Sequence, residues 1–299
     1  SADVLSSVST FFVNATARAW TYTLSLHDAL PIWVFDLCPD CRGEYTDPGS
    51  RRFHAESIAC PACGPRLRLA DAQGRALAGD PLRAARAALA GGLTVAVRGL
   101  GGFLLAADAL SPDAVRRLRE RKRRPHKPFA VMAADLDGAR RHCRVSGAAA
   151  TLLESPRAPI VILDPLPDGA APVDLLSPDA ATLGVMLPTT ALHLLLAHPL
   201  PGDPTPPLDL LVMTSGNRSG APICLDNDEA IEALAGVADL FLLHDRNIDL
   251  RADDSLAAIR DGRPQLWRRA RGWAPDPVRL HQPLRRAVLA MGAEMKNAI

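Results

Sequence analysis

The 299-residue chain has little lysine, few aromatic residues and no long apolar run, and each shortage excludes something. No stretch approaches the roughly 18 consecutive apolar residues of a membrane span, and the first residues lack the basic start of a secretory signal. We therefore expect a cytoplasmic protein with no membrane partner. Charge of one sign is also missing. Basic residues number 34 and acidic residues 33, for a net charge of +1, so no whole-molecule field draws the chain to nucleic acid or anionic lipid. Of the 34 basic residues, 31 are arginine and only Lys122, Lys127 and Lys296 are lysine. Where a GC-rich coding bias supplies arginine by default, a retained lysine marks a position.

Aromatic residues make up only 4% of the chain, yet Phe11, Phe12, Trp20, Tyr22 and Trp33 all lie in the first 33 residues. That segment shows no capped helix and no clean alternation, and Thr21 to Ile32, TYTLSLHDALPI, resembles a translated sequencing-adapter string. Residues 1–33 are accordingly set aside from fold reasoning as an artefactual or disordered N-terminus.

Four of the six cysteines form two C-x2-C knuckles, Cys38/Cys41 and Cys60/Cys63, with 18 residues between them. Each knuckle directs two thiolates at one point, and a short hairpin between them would complete a tetrahedral site. Four sulfurs leave no open coordination position, so the expected ion is a structural Zn2+. Two disulfides would require an oxidising compartment for which there is no export signal. His54 reads as a bystander, and Cys143 and Cys224 as small buried residues.

Beyond a short linker the pattern alternates helix and strand. Asp80-Pro81 and Ser111-Pro112 each supply an N-cap and an N1 proline, and Asp226 with Glu229 forms a near-capping-box. Strands are expected at 93–97, 103–107, 129–133, 160–163, 184–187, 210–213 and 240–243, with Asp261-Gly262 as a hairpin turn. The fold class is α/β, a twisted mixed sheet with helices. Chemistry concentrates in two places. Residues 116–127, RRLRERKRRPHK, carry eight cations and one acid and include two of the three lysines. An ammonium is a compact point charge suited to phosphate or carboxylate, so Lys122 and Lys127 point to a phosphate-rich ligand. The loop Thr214–Gly220, TSGNRSG, follows an apolar strand, where α/β sheets bind ligands.

The passage CPDCRGEYTDPGSRRFHAESIACPACGP resembles the second zinc module of the HypF family, carbamoyltransferases of [NiFe]-hydrogenase maturation. K-x-R at Lys122/Arg124 and S-x-N at Ser215/Asn217 are similar to the signature pairs of the YrdC-like domain, which makes acyl-adenylates from ATP. VRGLGGFLLAADA, HDRNI and RRARGWAP also have counterparts in order. The expected organisation is a zinc module at 34–68, a YrdC-like adenylating domain at 75–285, and a linker at 286–299 leading into a carbamoyl-transfer domain that Met291–Asn297 resembles at its opening. On this likeness the chain is expected to be an internal fragment, without the acylphosphatase and transfer domains. One departure is that the family's L-P-Y-T-P-L-H-H reads Leu187-Pro-Thr-Thr-Ala-Leu-His193-Leu.

The resemblance implies carbamoyl phosphate and ATP, as its Mg2+ complex, for substrates, and a HypE-like acceptor protein. It implies that Lys122, Arg124 and Lys127 face the anionic oxygens, and that Ser215, Asn217 and Ser219 hold the α-phosphate and ribose. Arg268, Arg269 and Arg271 would clamp the triphosphate or form a solvated run. Asp254 would orient the basic cluster, carry magnesium, or make a structural ion pair. Two other readings stay open: a threonylcarbamoyl-adenylate synthase of tRNA modification, which lacks a zinc module, and a double-stranded RNA-binding module, against which the balanced charge and scarce aromatics count.

Overall fold

The computed structural model describes residues 36–55, 58–278 and, singly, 281, 282, 286 and 288. The expectations for residues 1–33 and for Met291–Asn297 lie outside the described residues. Among the described residues the first element is helix α1, Pro39–Thr46, followed by strand β1, Leu67–Asp71. Helix α2, Pro81–Ala90, leads to β2, Val95–Arg98, and β3, Phe103–Asp108. Helix α3, Pro112–Arg121, precedes β4, Ala130–Ala133; then come α4, Leu136–His142, α5, Gly147–Leu153, β5, Ile160–Leu163, α6, Val173–Leu176, and β6, Leu183–Met186. The chain continues through α7, Ala191–Ala197, β7, Leu210–Ser215, α8, Asn227–Leu234, β8, Leu240–His244, β9, Leu256–Arg260, and β10, Arg263–Arg268.

The ten strands among the described residues join one sheet in the order β1-β8-β2-β3-β7-β4-β6-β5-β9-β10. The pairs β2–β8, β4–β6 and β5–β9 are parallel and the other neighbours antiparallel, so the sheet is mixed as the pattern predicts. Period-two alternation sends side chains to two cores. Val95, Val97, Leu211 and Met213 pack with Leu89 of α2 and Leu196 of α7 on one face. Ala96, Leu210 and Val212 pack with Leu118 of α3 and Leu234 of α8 on the other. The result is a sheet between two helical layers, with no helix among the described residues long and apolar enough to cross a membrane.

Local chemistry sets the boundaries. Asp80 accepts from the backbone N–H groups of Leu82 and Arg83, and Ser111 from that of Ala114. Asp226 and Glu229 make a complete capping box on α8. The sequence pattern misses α1, which starts within the first knuckle with Cys38 as its N-cap and Cys41 inside the helix, and β1, which pairs antiparallel with β8 from Leu67↔His244 to Asp71↔Leu240. Leu67 and Arg68 begin this edge strand of the sheet. A single buried ion pair ties α2 to the loop before β7: Arg86 donates to Asp203 at 2.7 Å, with further bonds to the carbonyls of Leu196, Thr205 and Pro206.

Candidate active site and zinc module

The four knuckle sulfurs lie within 4.8 Å of one another. Cys38 and Cys60 are 3.5 Å apart, and Cys60 and Cys63 are 3.7 Å apart. Tetrahedral Zn–S bonds of about 2.3 Å place sulfurs about 3.8 Å apart, so the cluster fits a zinc ion held by four thiolates, and all four thiols are free. Burial and the neighbouring sulfurs push the Cys41 thiol up, a proton competition that a divalent cation relieves by binding thiolates. The residues between the knuckles build the support. Arg52 pairs with Glu44 and donates to the Ala59 carbonyl at 3.2 Å. His54, at φ 50°, stacks on Tyr45 and Phe53 at centroid distances of 5.2 and 4.0 Å.

The second cluster forms where α3 ends. Lys122 is its C-cap and Arg123 takes the left-handed conformation at φ 49°; this reverses the chain and sends both Lys122 and Arg124 toward the end of β7. Lys122 Nζ donates to the Ser215 carbonyl at 2.6 Å, the Asn217 carbonyl at 3.2 Å and Asn217 Oδ1 at 3.1 Å. Arg124 donates to Thr214 Oγ1 at 2.8 Å and to the Pro128 carbonyl at 2.8 Å. Burial, with the charges of Arg124 and Lys127, draws the Lys122 ammonium down to about 8. Burial also lowers Arg124 to about 10, with Arg119 and Arg268 adding to the effect. Three like charges are thus gathered in a partly dry place, an arrangement whose repulsion an anion would relieve.

The loop that receives them is rigid. The N–H of Gly216 donates to the Phe103 carbonyl at 2.6 Å, and a side chain there would collide with Phe103 backbone at 2.8 Å. Ser215 Oγ donates to Asn217 Oδ1 at 2.8 Å, and Asn217 Nδ2 to the Ala221 carbonyl at 2.7 Å. The glycine turn before β3 closes the same end of the sheet: a Cβ at Gly101 would meet the Ala252 carbonyl, and one at Gly102 would meet Ile223. Lys127 and Ser219 sit at the exposed rim.

The structure sorts the remaining sequence candidates. Arg268 leans toward the Asp254 carbonyl at 3.4 Å and acts electrostatically on Arg124, which joins β10 to the cluster. Arg269 is at the surface and donates to the carbonyls of Trp273 and Asp276. The Arg271 side chain is largely covered and donates to Asp254 Oδ1 through Nε at 3.1 Å and Nη2 at 2.7 Å. Asp254 and Arg271 thus form an ion pair. Sequence reasoning missed Arg119. Its guanidinium lies 4.3 Å over the Phe129 ring and donates to the carbonyls of Arg124, Pro125, Lys127, Leu175 and Leu176, holding the 124–128 turn in shape. No local pattern marks it, because Leu175 is 56 residues away. Thr214 was also missed as a partner of Arg124, although it opens the loop that the pattern singled out.

Comparisons with known proteins find relatives over most of the chain. The model of the Sua5, YciO and YrdC family, described as telomere recombination, matches residues 87–270, and the HypF finger matches residues 37–70. The chain is 50% identical over 267 residues to a carbamoyltransferase HypF of Rhodobacter capsulatus, covering 89% of this chain and 34% of that protein. A Synechocystis carbamoyltransferase HypF is 41% identical, with 96% of this chain and 43% of that protein covered. The chain therefore spans between about a third and two-fifths of the length of these curated relatives. Among solved structures, a full-length HypF in a phosphate- and nucleotide-bound form superposes with a TM-score of 0.75 at 42% identity, covering 85% of this chain and 32% of that one. A Sua5 from P. abyssi gives 0.54 at 20% identity, with 64% of this chain and 54% of that one covered, and shows the shared fold alone.

Proposed function

The chain belongs to the Sua5, YciO and YrdC family and carries a HypF finger ahead of that domain, and from this premise we propose that it forms carbamoyl-adenylate from ATP and carbamate. The carbamate derives from carbamoyl phosphate, and the product serves cyanide-ligand synthesis in [NiFe]-hydrogenase maturation in the cytoplasm. A HypE-like protein is the eventual acceptor of the carbamoyl group. The adenylation step is the one assigned to the residues in hand. A carbamate oxygen attacks the α-phosphorus of ATP, a P–O bond forms there, and the bond to the β-phosphate oxygen breaks to release pyrophosphate.

The observation that carries this reading is the convergence of Lys122 and Arg124 on Thr214, Ser215 and Asn217 at the carboxyl end of β7. Transfer at phosphorus needs alignment and neutralised charge more than a nucleophilic side chain. Lys122, Arg124 and Lys127 supply the charge to the acyl and phosphate oxygens. Ser215, Asn217 and Ser219 hold the α-phosphate and ribose side. Arg268 and Arg269 face the triphosphate end, with Asp254–Arg271 as the ion-paired base beneath Arg268. That pairing supports an orienting role for Asp254 over a magnesium-carrying one. The HypF finger supports this substrate class over threonylcarbamoyl-adenylate synthesis.

The test is carbamoyl-phosphate- or carbamate-dependent ATP–pyrophosphate exchange. Lys122→Ala is expected to lower exchange about 10²-fold or more with zinc content unchanged. Exchange retained in the variant overturns the site, and exchange driven by threonine and bicarbonate instead overturns the substrate.

A further inference from the structure

Phe129 stands just after the cation turn and is 1% exposed, and its backbone N–H donates to the Leu176 carbonyl at 2.9 Å. Two guanidinium groups lie over its ring, that of Arg119 at 4.3 Å from the centroid and that of Arg124 at 5.2 Å. Two like charges on one buried ring call for an account, since each repels the other. The face of an aromatic ring is negative and attracts a cation. A planar guanidinium can rest on that face while its N–H groups donate in the plane, which an ammonium cannot do.

The two arginines differ in what they have left to give. A guanidinium carries five N–H groups. Arg119 spends all of its donors on carbonyls of two segments, Arg124, Pro125 and Lys127 in the turn and Leu175 and Leu176 in α6. Arg124 commits one N–H from each nitrogen: Nε to the Lys127 carbonyl at 3.2 Å, Nη1 to Thr214 Oγ1 at 2.8 Å and Nη2 to the Pro128 carbonyl at 2.8 Å. One N–H on each Nη of Arg124 is therefore without a partner among the described residues, and paired guanidinium donors suit phosphate oxygens.

We propose that Phe129 and Arg119 are positioning residues for the anion site: the ring is the platform on which Arg124 lies, and Arg119 locks the turn around it, so that Arg124 presents its two remaining N–H groups to phosphate oxygens. Arginine is then required at position 119 for its shape as well as its charge, because a single ammonium cannot hold the turn and α6 together. That the phosphate is the α-phosphate of ATP rests on the adenylation reading; the stacking does not.

The experiment uses the full zinc-loaded chain with inorganic pyrophosphate as the probe. Phe129 is replaced in turn by monofluoro-, difluoro- and trifluorophenylalanine, which keep the shape of the ring and drain its negative face. Pyrophosphate affinity is expected to fall stepwise, by about fivefold to tenfold over the series, and to stay level across the same series in an Arg124→Met background. Arg119→Lys is expected to weaken pyrophosphate about tenfold, as much as Arg119→Gln does. A level series in the wild type, an equal slope in Arg124→Met, or an Arg119→Lys variant that binds like the wild type overturns the proposal. If the wild-type chain binds no pyrophosphate, the adenylation reading falls, and the spectrum of 15N-labelled arginine decides the stacking. An Arg124 Nε–H signal that shifts along the fluorinated series sustains it, and one indifferent to the series overturns it.

Discussion

Two arginine-rich stretches look alike in sequence, residues 116–127 and residues 268–271, and the fold treats their charges in opposite ways. At the end of α3, backbone reversal at Arg123 delivers Lys122 and Arg124 onto a loop of carbonyls and hydroxyls, with no carboxylate among their hydrogen-bond partners in the described residues. At the end of β10, Arg271 is neutralised in place by Asp254 and its carboxylate is already spent. On the proposed function, the uncompensated cation cluster is held by the loop to meet an anion, whereas the compensated cation holds the loop. Charge density in a sequence does not distinguish these cases, and the identity of the partner does.

The largest expected break falls on the compensated side. Arg271→Ala leaves the Asp254 carboxylate, with 21% side-chain exposure, without its cation. Removing one member of a largely buried pair costs about 3 kcal/mol or more. A urea titration should show the midpoint fall with the slope retained. A change under about 1 kcal/mol would mean that the pair behaves as a surface contact and that the contrast with Lys122 is false.

The next break falls on the uncompensated side and is read by pH. The Lys122 ammonium loses its proton at about 8, below the ordinary lysine value, because of burial and the nearby Arg124 and Lys127. A group with a depressed value binds fewer protons folded than unfolded above that point, so its contribution to stability rises with pH from about 8 toward the unfolded lysine value of about 10.4. Ligand affinity runs the other way. The free site must take up a proton to present the ammonium, so binding of an anion such as inorganic pyrophosphate falls by up to about tenfold per pH unit above about 8. Titration calorimetry across that range, with Lys122→Met as the control that flattens the profile, checks the sign. A profile flat in the wild type would show that Lys122 does not face the anion.

Much of this architecture was legible locally. Asp80, Ser111 and Asp226 cap the helices they precede, and the knuckle spacing alone placed four sulfurs within zinc distance. The loop after β7 was readable because glycine and small polar residues follow an apolar run. What stayed hidden depends on distant partners. β1 is five residues long and finds its register only on β8, some 170 residues later. Arg119 and Arg271 look like their neighbours until the carbonyls of Leu175 and Ala158 and the carboxylate of Asp254 arrive from elsewhere. The cations of the window therefore divide by the direction in which the helix faces them, which periodicity could have suggested but partner identity had to settle.

Arg116 supplies the smallest and most discriminating test of that division. It lies in the same dense window as Lys122, six residues earlier, and contributes the same formal charge to any sequence-level count. Its guanidinium is half exposed and donates to Asp113 at 2.6 Å, one turn back on α3. Such an exposed pair is worth about 0.3–0.5 kcal/mol, and at more than one helical turn from the C-cap its field at the site is screened within about 8–10 Å in physiological salt. Arg116→Ala should leave pyrophosphate affinity within about twofold and lower stability by no more than about 0.5 kcal/mol. A tenfold loss of affinity would mean that the site draws on the summed charge of the whole window, and the separation of site cations from scaffold cations would have to be abandoned.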